Sequence, residues 1–101
     1  MSISAAYAVR PAGPSDLPLI APIEESGDAL FRSVFGESVT DERAPDGRQR
    51  SVEPGFLLVS GEPAVAFVHV LVLDGHAHLE QISVHPDHGR RGVGAALLEA
   101  T

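Results

Sequence analysis

The segment HPDHGRRGVGAALL, residues 85–98, decides the interpretation of this chain. Its three glycines, Gly89, Gly92 and Gly94, lie between an apolar stretch and a run of Ala and Leu. Glycines at the start of a helix let the backbone approach a ligand closely, and the unpaired amides of the first turn point at that ligand. Together with the helix dipole, these amides form a site for a phosphate or pyrophosphate. Arg90 and Arg91 add positive charge and hydrogen-bond donors.

Two other phosphate-binding motifs and a turn without ligand are the alternatives for this glycine-rich segment. A dinucleotide-binding fingerprint requires Gly or Ala at position 97, where this chain has Leu97, and a parallel pair of strands. A Walker loop requires a lysine, and the sequence contains none. A turn with solvated arginines and no ligand stays open on the residues alone.

Residues 77–100, AHLEQISVHPDHGRRGVGAALLEA, resemble motif A of the GCN5-related N-acetyltransferases, the GNAT family. The opening segments VRPA at 9–12 and SDLP at 15–18 are similar to the first strand and helix of that family. The family signature is Gln/Arg-x-x-Gly-x-Gly/Ala. Gly92 and Gly94 match it, while Gly89 stands at its first position. We expect Arg90 and Arg91 to supply the polar contact that Gly89 lacks.

The resemblance implies that acetyl-CoA is the acetyl donor and that two groups of residues bind it. The pantetheine arm is expected along the backbone of Ile82, Ser83 and Val84. The pyrophosphate is expected at residues 90–95, namely Arg90, Arg91, Gly92, Val93, Gly94 and Ala95.

The catalytic base is predicted on the strand before the turn. Strand alternation places His76, His78, Glu80, Ile82 and Val84 on one face. The positions of His78 and Glu80 resemble a His-x-His pair in the serotonin N-acetyltransferase branch, and other branches use a glutamate on this strand. Glu80 and His78 are therefore the candidate bases, and polar side chains that only contact water are the alternative.

The histidines and the single tyrosine shape the remaining expectations for chemistry. His69 stands between Val68 and Val70, so we expect a hydrogen-bonded core histidine. His76, His78 and Glu80 share a predicted strand face on which neighbours are roughly 6.6 Å apart, so two of them could chelate a metal. All three would span roughly 13 Å, which is too wide for one tetrahedral site. In the family, a tyrosine beyond motif A acts as the general acid. Tyr7 has no evident claim to that role, so the general acid is expected beyond Thr101.

The predicted fold is α/β of the α+β type, a GNAT-like, mixed but mainly antiparallel sheet with flanking helices. The domain is expected to be single and incomplete over residues 1–101, truncated after the pyrophosphate-binding helix. Residues 36–55 have little that can pack, so a flexible loop or substrate-facing flap is expected there. The predicted strands are 6–10, 56–60, 64–73 and 76–84. The run 64–73 is apolar enough to be buried on both faces, and Asp74-Gly75 predicts a hairpin turn after it. The predicted helices are 15–23, with Asp16 in the first turn, 28–35, with Leu30, Phe31 and Phe35 together, and 92–101.

Composition limits the remaining function classes. The net charge of −7 argues against nucleic acid as a partner. The absence of cysteine excludes disulfides and thiolate chemistry. Without a long apolar run or a signal peptide, we expect no membrane partner and a cytoplasmic location.

The sequence thus predicts an N-acetyltransferase that acts on a small-molecule or peptide amine. A truncated, non-catalytic acyl-CoA-binding or interaction module is the alternative. An open edge at strand 76–84 would also allow a homodimer by strand pairing.

Overall fold

Among the described residues, the sheet has four antiparallel strands, which are adjacent in space in the order of the chain. The computed structural model describes residues 7–35, 45–89 and 91–101, and it describes residues 28–35 as backbone only. The strands are β1 (Val9–Pro11), β2 (Gly55–Ser60), β3 (Ala66–Leu73) and β4 (His76–Val84). With the helices around them, they confirm the predicted α+β fold with its mainly antiparallel sheet.

The described part of the chain contains three α-helices beside the sheet: α1 (Leu17–Phe35), α2 (Gly47–Ser51) and α3 (Val93–Ala100). A turn of 3-10 helix at Pro86–His88 joins β4 to the segment before α3. Among the residues that the structure describes, no helix has the length and apolar character needed to cross a bilayer.

Helix α1 replaces the two short helices that the sequence predicted. Pro22 removes one backbone donor inside it, yet the helix continues through that residue. Ile20 and Ile23 are spaced for one helical face and are both buried against the sheet, which offsets the lost hydrogen bond. The predicted group of Leu30, Phe31 and Phe35 falls on side chains outside the described ones.

The start of α1 also differs from the prediction. The helix begins at Leu17, so Asp16 precedes it and does not lie in its first turn. Asp16 is buried and accepts two hydrogen bonds from Arg10, at 2.6 and 2.9 Å, and one from the Gly13 amide at 2.7 Å. The Arg10 guanidinium lowers the pKa of Asp16 and so keeps this buried carboxylate ionised.

Helix α2 lies inside the stretch that was predicted to be a loop, residues 36–55. Asp46 and Gln49 form a capping box, with Gln49 N to Asp46 Oδ1 at 2.8 Å and Asp46 N to Gln49 Oε1 at 3.0 Å. The box satisfies two backbone donors at the helix start and stabilises even a short helix. The prediction of a structureless segment is therefore wrong for residues 47–51, and residues 36–44 lie outside the described part.

The core consists of two clusters, one on each face of the sheet. Phe67 on β3 packs with Ile20 and Ile23 of α1. Its neighbour Val68 points to the opposite face and packs with Val93 and Leu97 of α3. Residues 66–70 are buried on both faces, as the apolar run predicted. The prediction is wrong for the end of the strand, because Val72 and Leu73 are exposed.

The hairpin between β3 and β4 uses the predicted Asp-Gly turn. Asp74 and Gly75 both have positive φ, 53° and 78°. This combination matches the twist of the flanking strands, so the turn sets the register of β4.

Candidate functional site

Strand β4 carries a bulge at Glu80. On one side of it Leu79 pairs with Val70, and on the other Gln81 pairs with His69. Glu80 therefore has no partner on β3 and is the extra residue. One extra residue reverses the alternation of side chains beyond it.

The bulge overturns the prediction that five β4 residues share one face. His78 is opposite Leu71, so it lies on the face of Phe67 and α1. Ile82 and Val84, beyond the bulge, pack with the cluster under α3 on the other face. Pattern reading missed the change because it assumes a strand of constant period.

Both candidate bases are exposed. His78 and Glu80 lie in the first half of β4, where residues 76–80 are all accessible to solvent. Burial lowers the pKa of His69, and the nearby charge of Glu80 opposes that shift only in part. The assignment of a base to Glu80 or His78 stays a prediction.

His69 is a hydrogen-bonded core histidine, as predicted. It is 1% exposed, and its Nδ1 lies 2.8 Å from Nη1 of Arg50. A guanidinium can only donate, so His69 accepts through Nδ1 and carries its proton on Nε2. Burial, followed by the charge of Arg50, lowers the pKa of His69 and keeps the ring neutral.

Arg50 completes this buried network and was missed by sequence reasoning. Its Nη2 donates to Glu24 Oε1 at 2.7 Å, and its guanidinium carbon lies 5.5 Å from the centre of the Phe67 ring. The stretch around Arg50 is polar and gives no periodic signal, although the capping pair Asp46 and Gln49 could have revealed the helix. Within the described residues, no group of three or more acidic or histidine side chains is placed to hold a metal ion.

The glycine-rich turn has the open backbone that an anion site requires. Gly92 is the N-cap of α3 with φ 75°, a left-handed conformation that favours glycine, and no side chain caps the helix. Ala96 is the first helix residue whose amide bonds back, to Gly92 O at 3.0 Å. In the described structure the amides of Val93, Gly94 and Ala95 lack such a partner, so they can donate to a phosphate.

The other predicted cofactor residues differ in their exposure to solvent. Val93 is 1% exposed over the whole residue, Gly94 is half-buried and Ala95 is exposed. Arg91 is exposed, and Arg90 lies outside the described residues. Ile82, Ser83 and Val84 are half-buried on β4, the last strand of the described sheet, whose outer edge has no neighbouring strand there.

Tyr7 lies at this turn, a position that no local pattern in the sequence indicates. Its hydroxyl is 3.0 Å from His88 Nδ1, and Nη1 of Arg91 donates to it at 3.0 Å. These contacts join residues more than 80 positions apart in the chain, which explains why no local pattern revealed them.

Comparison with known proteins agrees with this architecture. The model of the Acetyltransferase (GNAT) family matches residues 22–101. The ribosomal-protein-S18-alanine N-acetyltransferase of Escherichia coli is similar in structure, with a TM-score of 0.67 and 22% identity over 92% of this chain. A second similar structure is that of an aminoglycoside acetyltransferase from an uncultured soil metagenomic sample in complex with sisomicin. It has a TM-score of 0.55 and 20% identity over 94% of this chain.

This chain spans 55% of the first of those solved chains and 66% of the second. At such identities the likeness is one of fold. No curated protein gives a significant match to the sequence.

Proposed function

Because the chain belongs to the acetyltransferase (GNAT) family, we propose that it transfers the acetyl group of acetyl-CoA to an amine. The observation that carries this proposal is the turn at Gly92, a helix start with no side-chain cap and with three amides that have no partner in the described part of the chain. Such a turn suits the pyrophosphate of coenzyme A.

In this proposal each part of the site has a task. The amides of Val93, Gly94 and Ala95 bind the pyrophosphate, and Arg91 contributes charge beside them. The outer edge of β4 offers backbone donors and acceptors for the amide groups of the pantetheine arm. Acetyl-CoA supplies the acetyl group as a thioester.

The reaction also needs a base, since an amine attacks a thioester only when it is neutral. A carboxylate or a neutral imidazole can take the proton, directly or through one water molecule. Glu80 is the first candidate and His78 the second. Both are exposed, and along β4 they precede the residues that are proposed to bind the cofactor.

The acceptor is proposed as an amine of a peptide or of a small molecule. The two similar structures bear names of enzymes with acceptors of these kinds, an alanine of ribosomal protein S18 and an aminoglycoside. The net charge of −7 favours a cationic acceptor over an anionic one.

The test combines binding and turnover on the 101-residue chain. Calorimetry with acetyl-CoA and with coenzyme A measures binding, and release of free thiol measures transfer to a panel of amines. The panel includes a peptide with an N-terminal alanine and an aminoglycoside. We expect binding of both cofactor forms and amine-dependent thiol release. Binding without turnover would favour the non-catalytic acyl-CoA-binding module, and no binding would contradict the proposal.

A further inference from the structure

The hydroxyl of Tyr7 is the centre of a polar group that we name the turn cluster, made of Tyr7, His88 and Arg91. Tyr7 is half-buried, and its ring meets the His88 ring edge-on with centroids 5.7 Å apart. The Tyr7 backbone is held separately, because Ser60 Oγ donates to its carbonyl oxygen at 2.6 Å. The ring also packs against the apolar cluster under α3. The phenol therefore has a fixed position beside the turn.

The protons of the turn cluster follow from its chemistry. Arg91 can only donate, so the phenol oxygen accepts the bond from Nη1. The phenol proton is then free to go to Nδ1 of His88, 3.0 Å away. This arrangement uses the phenol both as an acceptor and as a donor, and it links the 3-10 turn of His88 to the arginine beside Gly92.

The contact with Tyr7 also orients Arg91. An exposed arginine samples many rotamers, and a ligand that fixes it must overcome that conformational entropy. The bond through Nη1 restrains the guanidinium. Its Nε and Nη2 groups have no partner in the described part of the chain, so they can donate to a ligand. Two parallel N–H groups on one edge match two oxygens of a phosphate.

We propose that Tyr7 is a positioning residue for coenzyme A binding. Tyr7 holds the Arg91 guanidinium so that the free edge of the guanidinium binds a phosphate group of coenzyme A. This inference rests on the proposed function. Tyr7 does not touch the reacting atoms in this role, and its effect on binding passes through Arg91.

The test is a double-mutant cycle with Tyr7→Phe and Arg91→Ala, measured by calorimetry with coenzyme A on the full chain. Phenylalanine keeps the packing of the ring and removes only the hydroxyl. We expect Arg91→Ala to weaken binding about 10- to 100-fold and Tyr7→Phe about 3- to 10-fold. The double variant should bind like Arg91→Ala alone, because Tyr7 acts through that residue. Ser51→Ala, which removes an exposed hydroxyl on α2, is the control and should bind like the wild type.

The other possible outcomes refute either the role of Tyr7 or the proposed function. If Tyr7→Phe binds like the wild type while Arg91→Ala is weakened, the role of Tyr7 is refuted and the proposed function stands. Additive losses in the double variant would also refute it, because Tyr7 would then act independently of Arg91. If the wild type binds no coenzyme A, the proposed function fails and this inference fails with it. Thermal melting of all variants shows whether a loss reflects unfolding.

Discussion

The polar groups around Arg50 bond to one another inside the protein, whereas those around Gly92 are open to a ligand. Arg50 is 5% exposed and bonds to His69 and Glu24, so the charge is enclosed by protein. Gly92 is exposed, and the amides that follow it have no partner in the described structure. A buried charge must be paired to be tolerated, whereas exposed donors with no internal partner are available to a ligand. Substitutions should therefore separate stability from function.

The largest expected effect is on the rate, at Glu80, an exposed carboxylate next to the buried network. If Glu80 is the base, Glu80→Gln should lower the rate of acetyl transfer by about 10²–10⁴. Acetyl-CoA affinity and the free energy of unfolding should barely change, and higher pH should restore part of the rate by supplying neutral amine. Thiol release with a fixed amine measures the rate. Glu99→Gln, an exposed carboxylate near the end of α3, is the control. Loss of rate in His78→Ala but not in Glu80→Gln would assign the base to His78.

The next effect concerns stability alone, at Arg50. Arg50→Ala leaves Glu24, whose side chain is 13% exposed, without its partner, and it opens space beside Phe67. Removing one member of a buried pair costs about 3–5 kcal/mol of the free energy of unfolding. Urea unfolding measures this loss. The exposed Arg48 on the same helix is the matched control, since Arg48→Ala should change stability by less than about 0.5 kcal/mol. Equal stabilities of the two variants would contradict the ion-pair assignment.

Sequence patterns revealed the elements that depend on local order. The apolar run of β3, the Asp-Gly turn and the glycines before α3 each have a local physical cause, and all three appear as predicted. The bulge at Glu80 could not be foreseen, because it depends on how β4 meets β3 and not on the composition of β4. Arg50 and Tyr7 were missed for a related reason. Their partners are distant in sequence, and burial of an arginine is possible only where the fold supplies a carboxylate.

Two glycines allow a sharper comparison of stability with binding. Gly92 and Gly75 have almost the same φ, 75° and 78°, and a Cβ at either position meets no heavy atom within 4 Å. A valine at either site should therefore destabilise the fold through the backbone alone, by at least about 1–2 kcal/mol. Only Gly92→Val should abolish coenzyme A binding, since its side chain would alter the turn or fill the space of the anion. Calorimetry and urea unfolding of both variants test this. Equal loss of binding at the two sites would remove the assignment of the pyrophosphate to this turn.

The smallest expected effect is the pH dependence of stability that His69 causes. Burial and Arg50 lower the pKa of His69 in the folded protein below the value of 6.5 that an unperturbed imidazole has. As the pH falls through 6.5, the unfolded chain takes up a proton at this residue and the folded chain resists it. Unfolding is then coupled to proton uptake, so this contribution to stability is present above pH 6.5 and is lost below it.

Urea unfolding at pH 8, 6.5 and 5.5 measures that slope and stays above the range in which Asp16 takes up a proton. His69→Gln removes the titrating group while its amide oxygen can still accept from Arg50. We expect this variant to lose less stability than the wild type between pH 8 and pH 5.5. His76→Gln, at the exposed start of β4, is the control and should keep the wild-type slope. If His69→Gln also keeps the wild-type dependence of stability on pH, His69 does not cause that dependence. Water must then reach the imidazole in the folded protein, and the buried network is not closed in solution.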